Sequence, residues 1–83
     1  MFYECDNLKN IYQLKYLNTK NINNFSNMFG WCTSLSDIKS LEKWNVSNGN
    51  NFSNMFGYCT SLSDINNTIN KWNISKSLLQ YIK

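Results

Sequence analysis

Residues 23–48, NNFSNMFGWCTSLSDIKSLEKWNVSN, are written almost a second time from Asn50, as NNFSNMFGYCTSLSDINNTINKWNIS. A repeat this long points to an array of stacked units, each of which buries its apolar side only against its neighbours. The register also reaches back to the first residue. MFYECDNLKNI (1–11) aligns with MFGWCTSLSDI (28–38) and MFGYCTSLSDI (55–65), which gives three columns: Met1, Met28, Met55; Phe2, Phe29, Phe56; and Cys5, Cys32, Cys59. The period is 27 residues, stretched by one between Ile65 and Trp72. Eighty-three residues allow a single domain with little core to spare. The expected organisation is three coils, about 1–22, 23–49 and 50–77, followed by a tail, 78–83, in which Leu78, Leu79, Tyr81 and Ile82 form a partial cap.

Within a coil, Phe25, Met28 and Phe29 have the spacing of one helical face, with Asn24 and Ser26 placed to start a turn and Gly30 placed to end it in the left-handed region. Residues 25–29 therefore read as about one helical or 3-10 turn. Apolar residues then recur in steps of three: Cys32, Leu35, Ile38, Leu41, Trp44. Such steps suit a chain that bends around a coil with one short strand, at 36–39, equivalent to 9–12 and 63–66. A second extended piece is expected at 45–47. Stacking the coils would pair these strands in parallel. The Asn column, Asn18, Asn45 and Asn73, is expected to satisfy buried backbone groups at a corner.

These columns resemble the BspA-type leucine-rich repeat, a bacterial surface-protein repeat with a Met-Phe-x-x-Cys-x-x-Leu core followed by Trp-Asn. The matching stretches are MFGWCTSL with KWNVSN, MFGYCTSL with KWNIS, and MFYECDNL. The resemblance covers residues 1 to about 77. It implies an α/β leucine-rich-repeat solenoid, with short parallel strands on one face and short helical or 3-10 turns on the other. It also implies an adhesive or partner-binding surface exposed on cells. Two departures stand out: Leu35-x-x-Ile38-x-x-Leu41 is one residue wider than the usual strand pattern, and the first copy carries Leu17 where the others have Trp.

Catalytic chemistry finds little support. The chain has no His to serve as base, and three Cys spaced by 27 residues match no zinc motif, whose ligands come in close pairs. The thiols read as small buried apolar groups. No catalytic, metal or cofactor site is expected. Eight Lys, no Arg and a formal charge of +3 do not make a nucleic-acid surface. No apolar run approaches the roughly 20 residues needed to insert into a membrane, and no secretory signal opens the sequence.

What remains is a non-enzymatic module that binds a protein or cell-surface ligand through repeated contacts, with a structural, end-to-end self-associating unit as the alternative. The expected contact residues are Asp37, Lys39, Asp64 and Asn66 on the solvent face of the predicted strand, with Trp31 and Tyr58 in a partly exposed aromatic column.

Overall fold

The computed structural model describes residues 2–9, 11–63 and 65–83. Its three repeats stack directly on one another, with principal extents of 29 × 25 × 22 Å. The link between coils is a ladder in which alternate N–H groups donate to the coil that follows. Phe25, Asn27, Phe29 and Trp31 donate to the carbonyls of Asn51, Ser53, Met55 and Gly57 at 2.7–3.0 Å, and Phe2 and Glu4 donate to Met28 and Gly30 at 2.7 Å. The tail continues the series, with Tyr81 and Ile82 accepting from Asn54 and Phe56.

The predicted strand solenoid does not form. Among the described residues there is no strand, and the one β-bridge is a parallel contact between Asn24 and Asn51. The leucine-rich-repeat reading falls with it, because that architecture is defined by a parallel sheet. The reason lies in where the intervening N–H groups go. Met28, Gly30 and Cys32 donate three residues back, to Phe25, Asn27 and Phe29, so the segment closes successive tight turns between its rungs. Asn27 and Trp31 take φ of 57° and 62°, as the third residue of a type II turn requires, and Asn54 and Tyr58 repeat this at 57° and 60°. Residues 25–29 are thus a run of turns. No described glycine has a positive φ, so Gly30 does not end a helix in the left-handed region.

The predicted strand at 36–39 is replaced by the entry to a 3-10 turn, Lys39–Leu41. The Asp37 carboxylate accepts the Lys39 N–H at 2.8 Å, and Leu41 N–H returns to the Ile38 carbonyl. An Asx turn of this kind offers the backbone a local partner in competition with a sheet. The equivalent segments are a 3-10 turn at Tyr12–Tyr16 and a short α-helix, α1, at Asn66–Ile69. The extra residue of the third coil is absorbed there, since Ile69 N–H reaches back four residues to Ile65 where Leu41 reaches back three. Residues 45–47 are not a strand either. Asn18 and Asn45 are exposed and accept the N–H two residues on, those of Lys20 and Ser47, so they act at the surface and not as buried corner groups.

The core follows the predicted columns. Phe25, Met28, Phe29, Cys32, Leu35, Ile38, Leu41 and Trp44 are buried, as are Phe52, Met55, Phe56, Cys59, Leu62, Ile65 and Trp72. The phenylalanines stack coil on coil: Phe2 on Phe29 at 5.2 Å, Phe29 on Phe56 at 5.5 Å, and Phe25 on Phe52 at 5.0 Å, with ring planes within 9° of parallel. Centroid separations of this size in near-parallel rings mean an offset stack, the arrangement the ring quadrupole prefers. Trp44 wedges against Phe25 and Phe29, and its indole N–H donates to the Leu14 carbonyl at 2.7 Å. Trp72 repeats this with the Leu41 carbonyl at 2.9 Å.

The thiols join the coils as well. Cys32 donates to the Phe2 carbonyl and Cys59 to the Phe29 carbonyl, both at 3.0 Å. All three cysteines are free. Burial pushes the Cys32 thiol up to about 11 and raises that of Cys59, so both stay protonated and unreactive near neutral pH. Gly49 is required by close approach, because a Cβ there would lie 2.5 Å from the Phe52 ring.

Candidate functional site

The helical turns of successive coils lie side by side, and an open groove of about 610 Å³ runs between the first two. One wall is YQLKY, Tyr12–Tyr16. A 3-10 turn has three residues per turn, so residues i and i+3 eclipse and Lys15 falls over Tyr12. The Lys15 ammonium sits 3.9 Å from the Tyr12 ring centroid and 5.1 Å from that of Tyr16. Hydrogen bonding with Lys15, and then its charge, lowers the Tyr12 phenol from its ordinary value; Lys15 is raised, first by the same bond. Tyr12 and Tyr16 are 56% and 76% exposed, so most of their surface is in water.

The opposite wall comes from the second coil: Asp37, Lys39, Ser40, Glu42 and Lys43. Its two carboxylates are already engaged. Asp37 accepts the Lys39 N–H, and Glu42 pairs with Lys71 of the third coil at 3.0 Å. That hydrogen bond is the main cause of Glu42's lowered pKa, helped by the charges of Lys71, Lys39 and Lys43. The Lys71–Glu42 contact is the one ion pair among the described residues, and an exposed pair of this kind adds little stability. The groove therefore offers two tyrosine rings, the ammonium groups of Lys15, Lys39 and Lys43, and the Asp37 carboxylate.

Of the residues expected to make contacts, Asp37 and Lys39 line this groove. They stand at the entry to a 3-10 turn and not on a strand, and the Asp37 carboxylate accepts the Lys39 N–H in the Asx turn that leads into it. Asn66 opens α1 and is exposed but does not line the groove. Asp64 lies outside the described residues. Trp31 and Tyr58 form a separate column, stacked at 4.2 Å with planes 11° apart and with 43% and 65% of their surfaces exposed. Both adopt a left-handed backbone that bulky side chains rarely take.

Tyr12, Lys15, Tyr16 and Lys43 were not expected as contact residues. The signal was the first copy's departure from the repeat: Tyr12 stands where the other copies have Lys39 and Asn66, and Tyr16 where they have Lys43 and Lys71. No group of three or more His, Cys, Asp or Glu side chains among the described residues is placed to hold a metal ion. No helix among them is long and apolar enough to cross a membrane.

No curated protein and no solved structure matches this chain significantly. A family described as "Mycoplasma protein of unknown function, DUF285" matches residues 1–80, nearly the full length, and the chain belongs to that family.

Proposed function

We propose that this chain is a non-enzymatic repeat module that binds a protein partner through the groove beside its helical turns. The observation that carries this reading is the pair of exposed tyrosines, Tyr12 and Tyr16, clamped by Lys15 across from Lys39 and Lys43. Tyrosine rings supply large contact area at low conformational cost, and they are enriched at the centres of protein interfaces. Here they decorate a stack whose repeated residues are largely spent on the core, so the specific surface is found where the copies differ.

Photo-cross-linking in the source cells tests the reading. A chain carrying a benzophenone amino acid at position 16 should form a discrete protein adduct, and one carrying it at position 58 should not. Adducts formed only from position 58 would move the binding face to the Trp31–Tyr58 column. No adduct from either position would remove the binding reading.

A further inference from the structure

Resting on that reading, we infer that the groove takes an acidic, tyrosine- or aromatic-containing protein segment, read by Lys15, Lys39 and Lys43 around the rings of Tyr12 and Tyr16. The charge pattern selects the partner. Three ammonium groups border the groove against two carboxylates, and one of those, Glu42, is paired with Lys71 from outside the lining, which leaves the walls with a positive balance. An incoming carboxylate therefore meets a net positive surface in which Asp37 is the one acidic side chain without a cation paired to it. Lys15 is itself held over an aromatic face, so a carboxylate approaching it also lies against the Tyr12 and Tyr16 rings.

Several features favour a peptide over a nucleic acid. The chain has no Arg to grip phosphate in two-pronged fashion, and Asp37 and Glu42 stand in the same walls, where they would repel a continuous phosphate backbone. A peptide can place its carboxylates at intervals and avoid them. The groove is open to solvent and brings lysine side chains together with two exposed tyrosine rings.

The probe is a fluorescent synthetic peptide of alternating Glu and Tyr, with its Gln–Tyr counterpart as the neutral control. The full chain should bind the Glu–Tyr peptide, and binding should weaken steeply from about 50 mM to about 300 mM salt as the charges are screened. Replacing Lys39→Gln and Lys43→Gln together should weaken it about tenfold, as expected for two partly exposed cations at an interface. The fold should persist, because the Asp37 contact uses the Lys39 backbone N–H. Removing the same charge elsewhere, with Lys20→Gln and Lys76→Gln, should leave binding within about twofold, since rim charges act locally within a Debye length.

The outcomes separate the two levels of the idea. If Gln–Tyr binds as well as Glu–Tyr, and Tyr12→Ala with Tyr16→Ala weakens both, the groove binds but the acidic partner is wrong. If neither pair of groove variants weakens either peptide, or no peptide binds, both the acidic partner and the groove are wrong. Preference for an oligodeoxythymidylate over the Glu–Tyr peptide would equally overturn the inference.

Discussion

The ring-stacked side of the molecule and its helical-turn side descend from the same repeat, yet they behave differently. In the first, residues 25–31 and 52–58 hold matching backbone: φ is 57° at both Asn27 and Asn54, and 62° and 60° at Trp31 and Tyr58. In the second, SDIKSLEKW and SDINNTINKW fold as a 3-10 turn and an α-helix. The difference follows from the backbone hydrogen bonds. On the ring-stacked side alternate N–H groups bond to the next coil, so each copy templates its neighbour. On the helical-turn side, among the described residues, the N–H groups close locally and only side chains such as Trp44 and Trp72 cross between coils. Where coils are laddered, the repeat is held; where they are not, it can take an extra residue or a new surface.

The strongest way to break this contrast is Phe29→Ala. The side chain is fully buried and stacks on both Phe2 and Phe56. Its loss should cost about 3–5 kcal/mol in urea unfolding, a large share of the roughly 4–12 kcal/mol expected of a domain this size. A loss no larger than that for exposed Lys43→Ala would remove the distinction. Trp44→Phe attacks the link between the two sides. It deletes the hydrogen bond to the Leu14 carbonyl and part of the wedge against Phe25 and Phe29, and about 2 kcal/mol should be lost.

Deleting Asn67 sharpens the comparison. It restores the 27-residue spacing and should turn α1 into a 3-10 turn at a cost of about 1 kcal/mol or less, because a local change in loop length is cheap. Deleting Ser53 shifts the ladder register and should prevent cooperative folding, as read by near-UV circular dichroism. Two sets of unchanged or equally damaged spectra would mean that the two sides are coupled alike.

The smallest effects are in pH dependence, and they differ by side. Cys32 titrates high because it is buried: its protonated form is favoured by folding, so its contribution is fully present below about 9 and is lost as pH climbs through about 11. Cys32→Ala should flatten the alkaline limb of a melting-temperature profile. Glu42 is lowered by Lys71, so its small contribution is present above the ordinary carboxylate range and is lost as pH falls through its folded value. Lys71→Ala should flatten the acid limb slightly, and a steeper acid limb would contradict the pairing.

The burial pattern was legible in the sequence because residue type and spacing constrain it directly: the Phe, Met, Cys, Leu, Ile and Trp columns of the second and third copies lie inside. Strand or turn was not legible. Apolar steps of three fit either, and the choice is made by short-range competition, with Asp37, Asn18 and Asn45 each capturing an N–H two residues on. The candidate site was half visible. Asp37 and Lys39 follow from the outward register of the predicted strand, whereas Tyr12 and Tyr16 stand where the first copy departs from the repeat, so the shared columns do not mark them.

By itself, then, the sequence determined the number of coils, the period and the columns buried in the second and third copies, since a faithful repeat of apolar residues buries the same positions in both. Only the tertiary structure decided that these coils stack through tight turns without a sheet, and that a basic, tyrosine-walled groove opens between the first two. Both depend on where each N–H and each ammonium finds its partner. Those partners lie two or three residues away or a whole coil away, at distances that a one-dimensional pattern does not rank.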